Sequence, residues 1–241
     1  MGWTRPKQLV IPQVWDTFQA KDVDSDQLVT YRVEDLTEDR YEDAIQHFVE
    51  NYLDDEPLHK NRKFSEDELS VAEVKDFWQW CFDQKMTIVC YKEGSREIVG
   101  VNLLHVKGFD KMHDSEVRQT KSEHLKDIEA THEYMTDQFQ VCQHYNVIFY
   151  LTSYGLAINR RYRGREIATE MLRSRIPLCK TLEIKVTATD FTALGSQLAA
   201  AKAGFQTIVE VTYDDFSKMG PRYSYPGIKS KSLKLMSLEI E

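Results

Sequence analysis

The sequence predicts an α/β fold on one mixed sheet of about seven strands. The first observation is the order of elements, which runs strand, two helices, hairpin, helix, strand, helix, strand, helix, strand, strand. The second is the segment Tyr150 to Cys179, where an alternating strand turns through an arginine- and glycine-bearing loop into a helix. The third is composition: 41% hydrophobic and 29% charged residues in a 241-residue chain suit a soluble domain with a sizeable core.

In chain order, residues 1–26 mix proline, tryptophan and acidic residues without a period, and are read as an arm over a domain spanning 27–241. QLVTYRV (27–33) alternates in β-formers and is the first strand. Thr37 is the expected cap of a helix whose Tyr41, Ala44, Ile45, Phe48 and Tyr52 recur at helical spacing. LDDEPLHKN (53–61) is acidic and broken by proline, hence a joint. Ser65 is the expected cap of a second helix with Val74, Phe77, Trp78 and Cys81 on one face; the three aromatic-rich positions Phe77, Trp78 and Trp80 read as core. MTIVCYKE and REIVGVNLLHV, joined at Gly94–Ser95, form a hairpin.

After an irregular charged stretch, Leu125, Ile128, His132, Met135, Phe139 and Cys142 mark a long amphipathic helix with His132 on its apolar face, where a satisfied core histidine is the reading preferred over a catalytic one. The strand, loop and helix from Tyr150 follow, with Pro177 ending or kinking the helix. LEIKVTAT reads as a parallel strand, and ALGSQLAAAKAG as a helix closed by Gly204. FQTIVEVTYDDF and SLKLMSLEI read as the last two strands, separated by the loop MGPRYSYPGIKS.

The net charge of −8 and the pI near 5.5 argue against a nucleic-acid partner, which calls for a basic face. The four cysteines are widely spaced and unpaired in pattern, which suits reduced thiols in the cytoplasm. The seven histidines show no ligand spacing, so no metal is expected. No stretch approaches the ~20 apolar residues of a membrane span, and the first ten residues carry no apolar signal core. The expected protein is cytoplasmic and without a membrane partner; the sequence leaves its oligomeric state open, with a monomer favoured.

The loop after the Tyr150 strand is a natural anion cradle. Helix N-termini present unpaired N–H groups and the positive end of the dipole, and Gly164 permits close approach of backbone to a ligand. Arg161, Arg163 and Arg165 add positive charge. The run RRYRGREIA resembles the pyrophosphate loop of the GNAT acyl-CoA N-acyltransferases, Q/R-x-x-G-x-G/A, with Arg161 at the first position and Gly164 at the fourth. Glu166 departs from it at the sixth, where a carboxylate repels a diphosphate unless it points away. The element order is likewise that of GNAT enzymes, so the resemblance implies their fold: a mostly antiparallel sheet with a splayed parallel pair at the cofactor site.

Within that superfamily, the chain resembles the insect arylalkylamine N-acetyltransferases. DEPL (55–58), the long helix before the cofactor strand, RYRGREIA and SQLAAAKAGF from Ser196 all parallel family segments. The connection before Ser196 is longer than in the family, so the resemblance does not place Thr189 and Thr192. The resemblance implies an acetyl-CoA donor and an acceptor such as dopamine, octopamine, tyramine, serotonin or histamine, with direct transfer in a ternary complex. It implies donor contacts from Arg161, Arg163, Gly164, Arg165, Glu166, Ile167 and Ala168, and free amides at Leu156, Ala157 and Ile158 facing the thioester.

An alkylammonium ionises near pH 10, so roughly one molecule in a thousand is neutral at pH 7 and a base is needed. Glu56 is the candidate base by its place in the joint and by the resemblance, and Ser196 the candidate for the sulfur end. The bland alternatives are a solvated acidic turn for Glu56 and a first-turn residue for Ser196. Lys202 could reach a donor phosphate, though a solvated lysine is the simpler reading. Two rival readings remain: the same fold acting on a polyamine, hydrazine, amino acid or protein lysine, or a CoA-binding module without turnover, for which Glu166 speaks.

Overall fold

A computed structural model describes residues 3–108 and 119–241; most of the irregular charged stretch lies outside the described residues. The chain forms strands β1 (Val14–Lys21) and β2 (Leu28–Asp35), then helices α1 (Tyr41–Asn51), α2 (Pro57–Asn61) and α3 (Glu68–Asp83). Strands β3 (Ile88–Lys92) and β4 (Ile98–Gly108) precede α4 (Glu123–Gln138) and α5 (Val141–His144). After β5 (Phe149–Ile158) come α6 (Ile167–Arg173), α7 (Arg175–Thr181), β6 (Val186–Phe191) and α8 (Leu194–Lys202). The chain ends with β7 (Gln206–Thr212), α9 (Tyr213–Lys218) and β8 (Ser232–Glu239).

The eight strands make one sheet in the order β1-β2-β3-β4-β5-β6-β8-β7, antiparallel throughout except for β5 with β6. The mixed α/β sheet is as predicted, with one strand more. That strand is β1, which lies in residues read as an arm and pairs with β2 from Val14↔Glu34 to Lys21↔Leu28. A register shift between Val14 and Asp16 and an edge position leave only Trp15 and Ala20 buried, too faint an alternation to read. Arg5 and the Trp15 indole both hold the buried Asp35 carboxylate at 2.8 Å, which fastens the N-terminal segment to β2.

Each face of the sheet buries its own core. One packs Phe48 of α1, Trp78 and Phe82 of α3 and Met135 of α4 on Val101, Leu103 and Ala188. The other packs Ile167 and Met171 of α6 and Leu178 of α7 on Val99, Leu104, Leu151 and Ile158. Each fully buried side chain of this size contributes about 1.5–3 kcal/mol. A small third cluster seats α8, through Ala199, Ala200 and Ala203, on Phe191 and Met236.

Several boundaries differ from expectation for local reasons. Thr37 precedes a single 3₁₀ turn, Glu38–Arg40, and α1 starts after Arg40. Asp67 rather than Ser65 caps α3, accepting from Ser70 N at 3.1 Å. α4 ends at Gln138, so Phe139 is its cap and Cys142 belongs to α5. The helix after the loop breaks at Ser174, where Pro177 lacks the N–H and crowds the carbonyl four residues back, that of Arg173. The strand expected over 205–216 stops at Thr212, whose hydroxyl accepts from Asp215 N and starts α9.

Candidate active site

The parallel pair β5–β6 meets at one register position, Leu151↔Thr187, and then parts. Arg175 of α7 bridges the gap. Its guanidinium, fully buried, donates from Nε to Asn102 Oδ1 of β4 at 3.0 Å and from Nη1 to Thr189 Oγ1 of β6 at 2.9 Å. Asn102 in turn donates to Gly155 O and Ser153 Oγ at the β5 bulge. Burial pulls the guanidinium down to about 9, because three neutral partners replace water and no carboxylate pairs with it.

On the far side of the bulge β5 pairs only with β4. Asn159 N donates to Val99 O, so alternation along the antiparallel pair turns the Ala157 amide toward β4. The Leu156 and Ile158 amides face the opened gap. Of the three amides predicted to meet a thioester, two therefore point that way and Ala157 does not.

Below the gap lies the predicted anion loop. Asn159 Oδ1 accepts from Arg161 N and caps a 3₁₀ turn, Arg160–Tyr162. Gly164, at φ 76°, then turns the chain, and Glu166, also left-handed at φ 62°, leads into α6. Glu166 points aside: Oε1 accepts from Lys202 Nζ at 2.7 Å and Oε2 from Thr169 Oγ1 at 3.2 Å. The lysine holds its carboxyl below the ordinary glutamate value. Lys202 is thus ion-paired, not simply solvated.

The loop arginines are mostly engaged within the fold. Arg163 donates to Asp55, Asn51 O and Ile158 O, and Arg160 also pairs with Asp55. Arg165 donates to the carbonyls of Asp22, Val23, Arg161 and Arg163. Arg161 stays exposed, 3.6 Å from Asp24. Ile167 packs in the core and Ala168 against it, so both seat α6. Ser196 sits in the first turn of α8, its hydroxyl donating to Ala193 O at 2.9 Å.

On the other face of the sheet, Glu56 caps α2. Its Oε2 accepts from His59 N at 2.7 Å, Pro57 supplies the first helical residue, and the residue is only 7% exposed. Its Oε1 is buried with no hydrogen-bond partner. The joint is therefore a capped turn sealed by Leu58 and Phe64, not a solvated acidic loop. The Tyr52 and His59 rings meet at 5.4 Å beside it. Burial raises the Tyr52 phenol well above its ordinary value, with the Glu56 charge adding to the rise.

A cleft of about 1860 Å³ runs through the sheet gap and joins the two sides. It is lined by Glu56, Leu156, Ile158, Arg163, Gly164, Glu166, Ile167, Ala168 and Ser196, and not by Ala157, Arg161 or Arg165. Thr189 and Thr192 line it too. Among the described residues no three His, Cys, Asp or Glu side chains converge to hold a metal ion, and no helix is long and apolar enough to cross a membrane.

Two groups of cleft residues escaped the sequence. His132, read as a core residue, has 38% of its side chain exposed in the cleft wall, and Nδ1 lies 2.9 Å from Asp190 Oδ2 of β6. Helical spacing placed it on an inward face, but that face looks into the cleft. Phe77, Trp78 and Trp80 all line the cleft: Trp78 is fully buried in the core, while Phe77 and Trp80, stacked at 5.9 Å and continued by His105 and Tyr154, pack half-buried against it. Lys107 lies 5.0 Å over the Tyr154 ring.

No family model matches the chain, and no curated protein matches it. Solved structures do. An insect protein from the yellow fever mosquito Aedes aegypti, provisionally named arylalkylamine N-acetyltransferase 7, is 42% identical, covering 99% of this chain and 100% of that one with a TM-score of 0.94. Arylalkylamine N-acetyltransferase 2 of Aedes aegypti is 20% identical over 88% of this chain and 99% of its own, with a TM-score of 0.74. A Drosophila melanogaster polyamine N-acetyltransferase, described as forming N-acetylagmatine, is 19% identical over 87% and 100%, also at 0.74. The last two show likeness of fold.

Proposed function

The chain belongs to the insect arylalkylamine N-acetyltransferases, of the GNAT fold, and from that premise we propose that it transfers acetyl from acetyl-CoA to a small arylalkylamine. Dopamine, octopamine, tyramine, serotonin and histamine are the acceptors in view. The observation that carries the reading is Glu56: a carboxylate oxygen, buried and unpartnered, in the wall of a cleft that crosses the sheet gap. A buried acceptor atom without a donor is costly, and an amine N–H or a water held by one would satisfy it.

The donor fits the α6 side. Its diphosphate lies against the turn at Gly164, where an added Cβ would meet nothing within 4 Å. Lys202 neutralises Glu166 there. The pantetheine arm enters the gap between β5 and β6, with the thioester carbonyl toward the Leu156 and Ile158 amides. The acceptor fits the α1–α4 side, its nitrogen toward Glu56.

Glu56 takes the ammonium proton, the nitrogen attacks the thioester carbon, and the oxyanion is held by preorganised amides, each donor contributing about 2.7–4 kcal/mol in such sites. The C–S bond then breaks as the nitrogen gives up its second N–H proton to form the neutral amide, and that proton ends on the thiolate, relayed by Ser196 turning from Ala193 O to the sulfur and returning as the hydroxyl. Transfer is direct. Cys142 lines the cleft and Cys179 of α7 is packed in the core, and burial raises both thiols, Cys179 to about 12, so neither supplies a thiolate.

The rings of Phe77, Trp80, His105 and Tyr154 favour an aryl group, and Lys107 above Tyr154 disfavours a second cation there. A polyamine is the second reading, because Glu129, Glu133 and Asp137 of α4, four residues apart, line the same cleft. Thiol release from acetyl-CoA against aryl amines and polyamines separates the two. Higher kcat/KM for the polyamines would reverse the choice, and no turnover with any amine would remove the activity.

A further inference from the structure

Glu56 has to lose its proton after each transfer, and its position makes that hard. Oε1 is shut off from solvent, and Oε2 is committed to His59 N. Among the described residues, the titratable groups set around it differ in how well they could carry the proton away. His59 is buried, stacked on Phe64 at 4.5 Å, and burial lowers its proton affinity. Burial also raises the Tyr52 and Tyr213 phenols, which donate to the carbonyls of Tyr154 and Thr192 and hold no free base at neutral pH. Lys107 lies over the Tyr154 ring.

His132 differs from all of these. Its ring stands in the cleft wall, partly exposed, with Nδ1 against the Asp190 carboxylate. A carboxylate on Nδ1 selects the tautomer with the proton there, which leaves the Nε2 lone pair open to the cleft. Asp190 keeps its other oxygen, Oδ1, buried and unpartnered, so its charge is directed to the imidazole with no competing ion pair.

Resting on the acetyl-transfer reading, we propose that His132, positioned by Asp190, is the proton outlet of the reaction. The N–H bond of the ammonium breaks as an O–H bond forms on Glu56 Oε1. That O–H bond breaks as an N–H bond forms on His132 Nε2, directly or across one water. The imidazolium, paired with Asp190, gives the proton to bulk water and returns neutral, and no other atom changes its bonding. Burial works against the charged ring, but the hydrogen bond and charge of Asp190 outweigh it, with Glu56 helping and Lys107 opposing, so the net proton affinity rises. Glu129, Glu133 and Asp137 on α4 and His59 on α2 are further titratable groups lining this cleft. His132 therefore accepts a proton more readily than an ordinary imidazole and still sheds it to solvent.

The test is steady-state kinetics on the full chain with His132→Ala, His132→Gln and Asp190→Asn, at saturating acetyl-CoA and amine. His132→Ala is expected to lose about tenfold to hundredfold in kcat at neutral pH, within the range of positioned proton transfer, with KM for acetyl-CoA unchanged. Added 1-methylimidazole, which has no N–H to acetylate, is expected to restore it in proportion to concentration. Asp190→Asn is expected to move the acid limb of kcat to lower pH, because His132 then stays neutral further down. Wild-type kcat in His132→Ala and His132→Gln would overturn the outlet and leave acetyl transfer standing. A loss without rescue, or an unmoved limb in Asp190→Asn, would overturn it too by making the pair structural. Failure of the wild-type chain to turn over any amine would instead remove the underlying reading, and the outlet with it.

Discussion

Arg163 Nη1 donates to Asp55 Oδ2 at 2.5 Å, tying the turn that carries Glu56 to the turn that carries Gly164. The same guanidinium reaches Asn51 O and Ile158 O, so one side chain links the end of α1, the joint and the end of β5. Asp55 is partly buried, yet its two arginine partners outweigh that and hold its carboxyl below the ordinary value. Arg163→Ala is expected to raise KM for acetyl-CoA about tenfold and to lower kcat as well, because both turns lose their common anchor. Arg163→Lys should recover little, since an ammonium cannot reproduce the forked contacts. A rise in KM alone, with kcat intact, would show that the tie does not reach Glu56.

Glu56 has two duties that one substitution can separate. Glu56→Ala removes both the base and the α2 cap, and the cap alone is worth about 1 kcal/mol. Glu56→Gln keeps an oxygen for His59 N and removes only the basicity. For Glu56→Gln, kcat/KM is expected to fall about 10²–10⁴-fold at neutral pH, and less at high pH where free amine is plentiful. The pH profile measures it, and an equal loss at every pH would assign Glu56 a structural role.

The Glu166–Lys202 pair makes a charged residue workable in the anion turn. Lys202→Ala leaves the carboxylate beside the proposed diphosphate site without the cation that neutralises it and draws it aside, and acetyl-CoA affinity by calorimetry is expected to weaken. Glu166→Gly removes the carboxylate, frees Lys202 and relieves the left-handed backbone at φ 62°. It is expected to bind the donor more tightly and to gain stability, up to about 1 kcal/mol. Equal affinity in all three proteins would mean that this turn does not hold the diphosphate.

What could be read from sequence follows from how local each signal is. Order of elements, the strand–turn–helix at Gly164 and the DEPL joint are local patterns, and the GNAT sheet and the cleft position of Glu56 and Ser196 follow from them. The pairing of His132 with Asp190 spans fifty-eight positions and depends on the α4 face turned toward β6, which periodicity does not specify. Arg175 offers an even plainer case, since nothing in SRIPLC announces a buried guanidinium bridging β4 and β6. The fate of the loop arginines was equally hidden. Charge composition suggests phosphate, whereas Arg165 meets four backbone carbonyls that only the folded chain brings together.

The His132–Asp190 pair also makes a stability prediction that needs no substrate. His132 binds its proton more tightly folded than unfolded, where an imidazole titrates near about 6.5. A raised folded value means that folding takes up a proton, so the contribution is fully present below about 6.5 and is lost as pH rises through the folded value. Asp190→Asn removes the ionic part of the pair. Its melting temperature is therefore expected to fall further below wild type at about pH 5.5 than at about pH 8.5, with the gap narrowing as His132 discharges. His132→Gln should show the same narrowing, because the shared cause is one imidazolium. Thermal melts across that range decide it: a gap that stays constant, or widens toward high pH, would mean that the ring is neutral throughout and that Asp190 is held by something else.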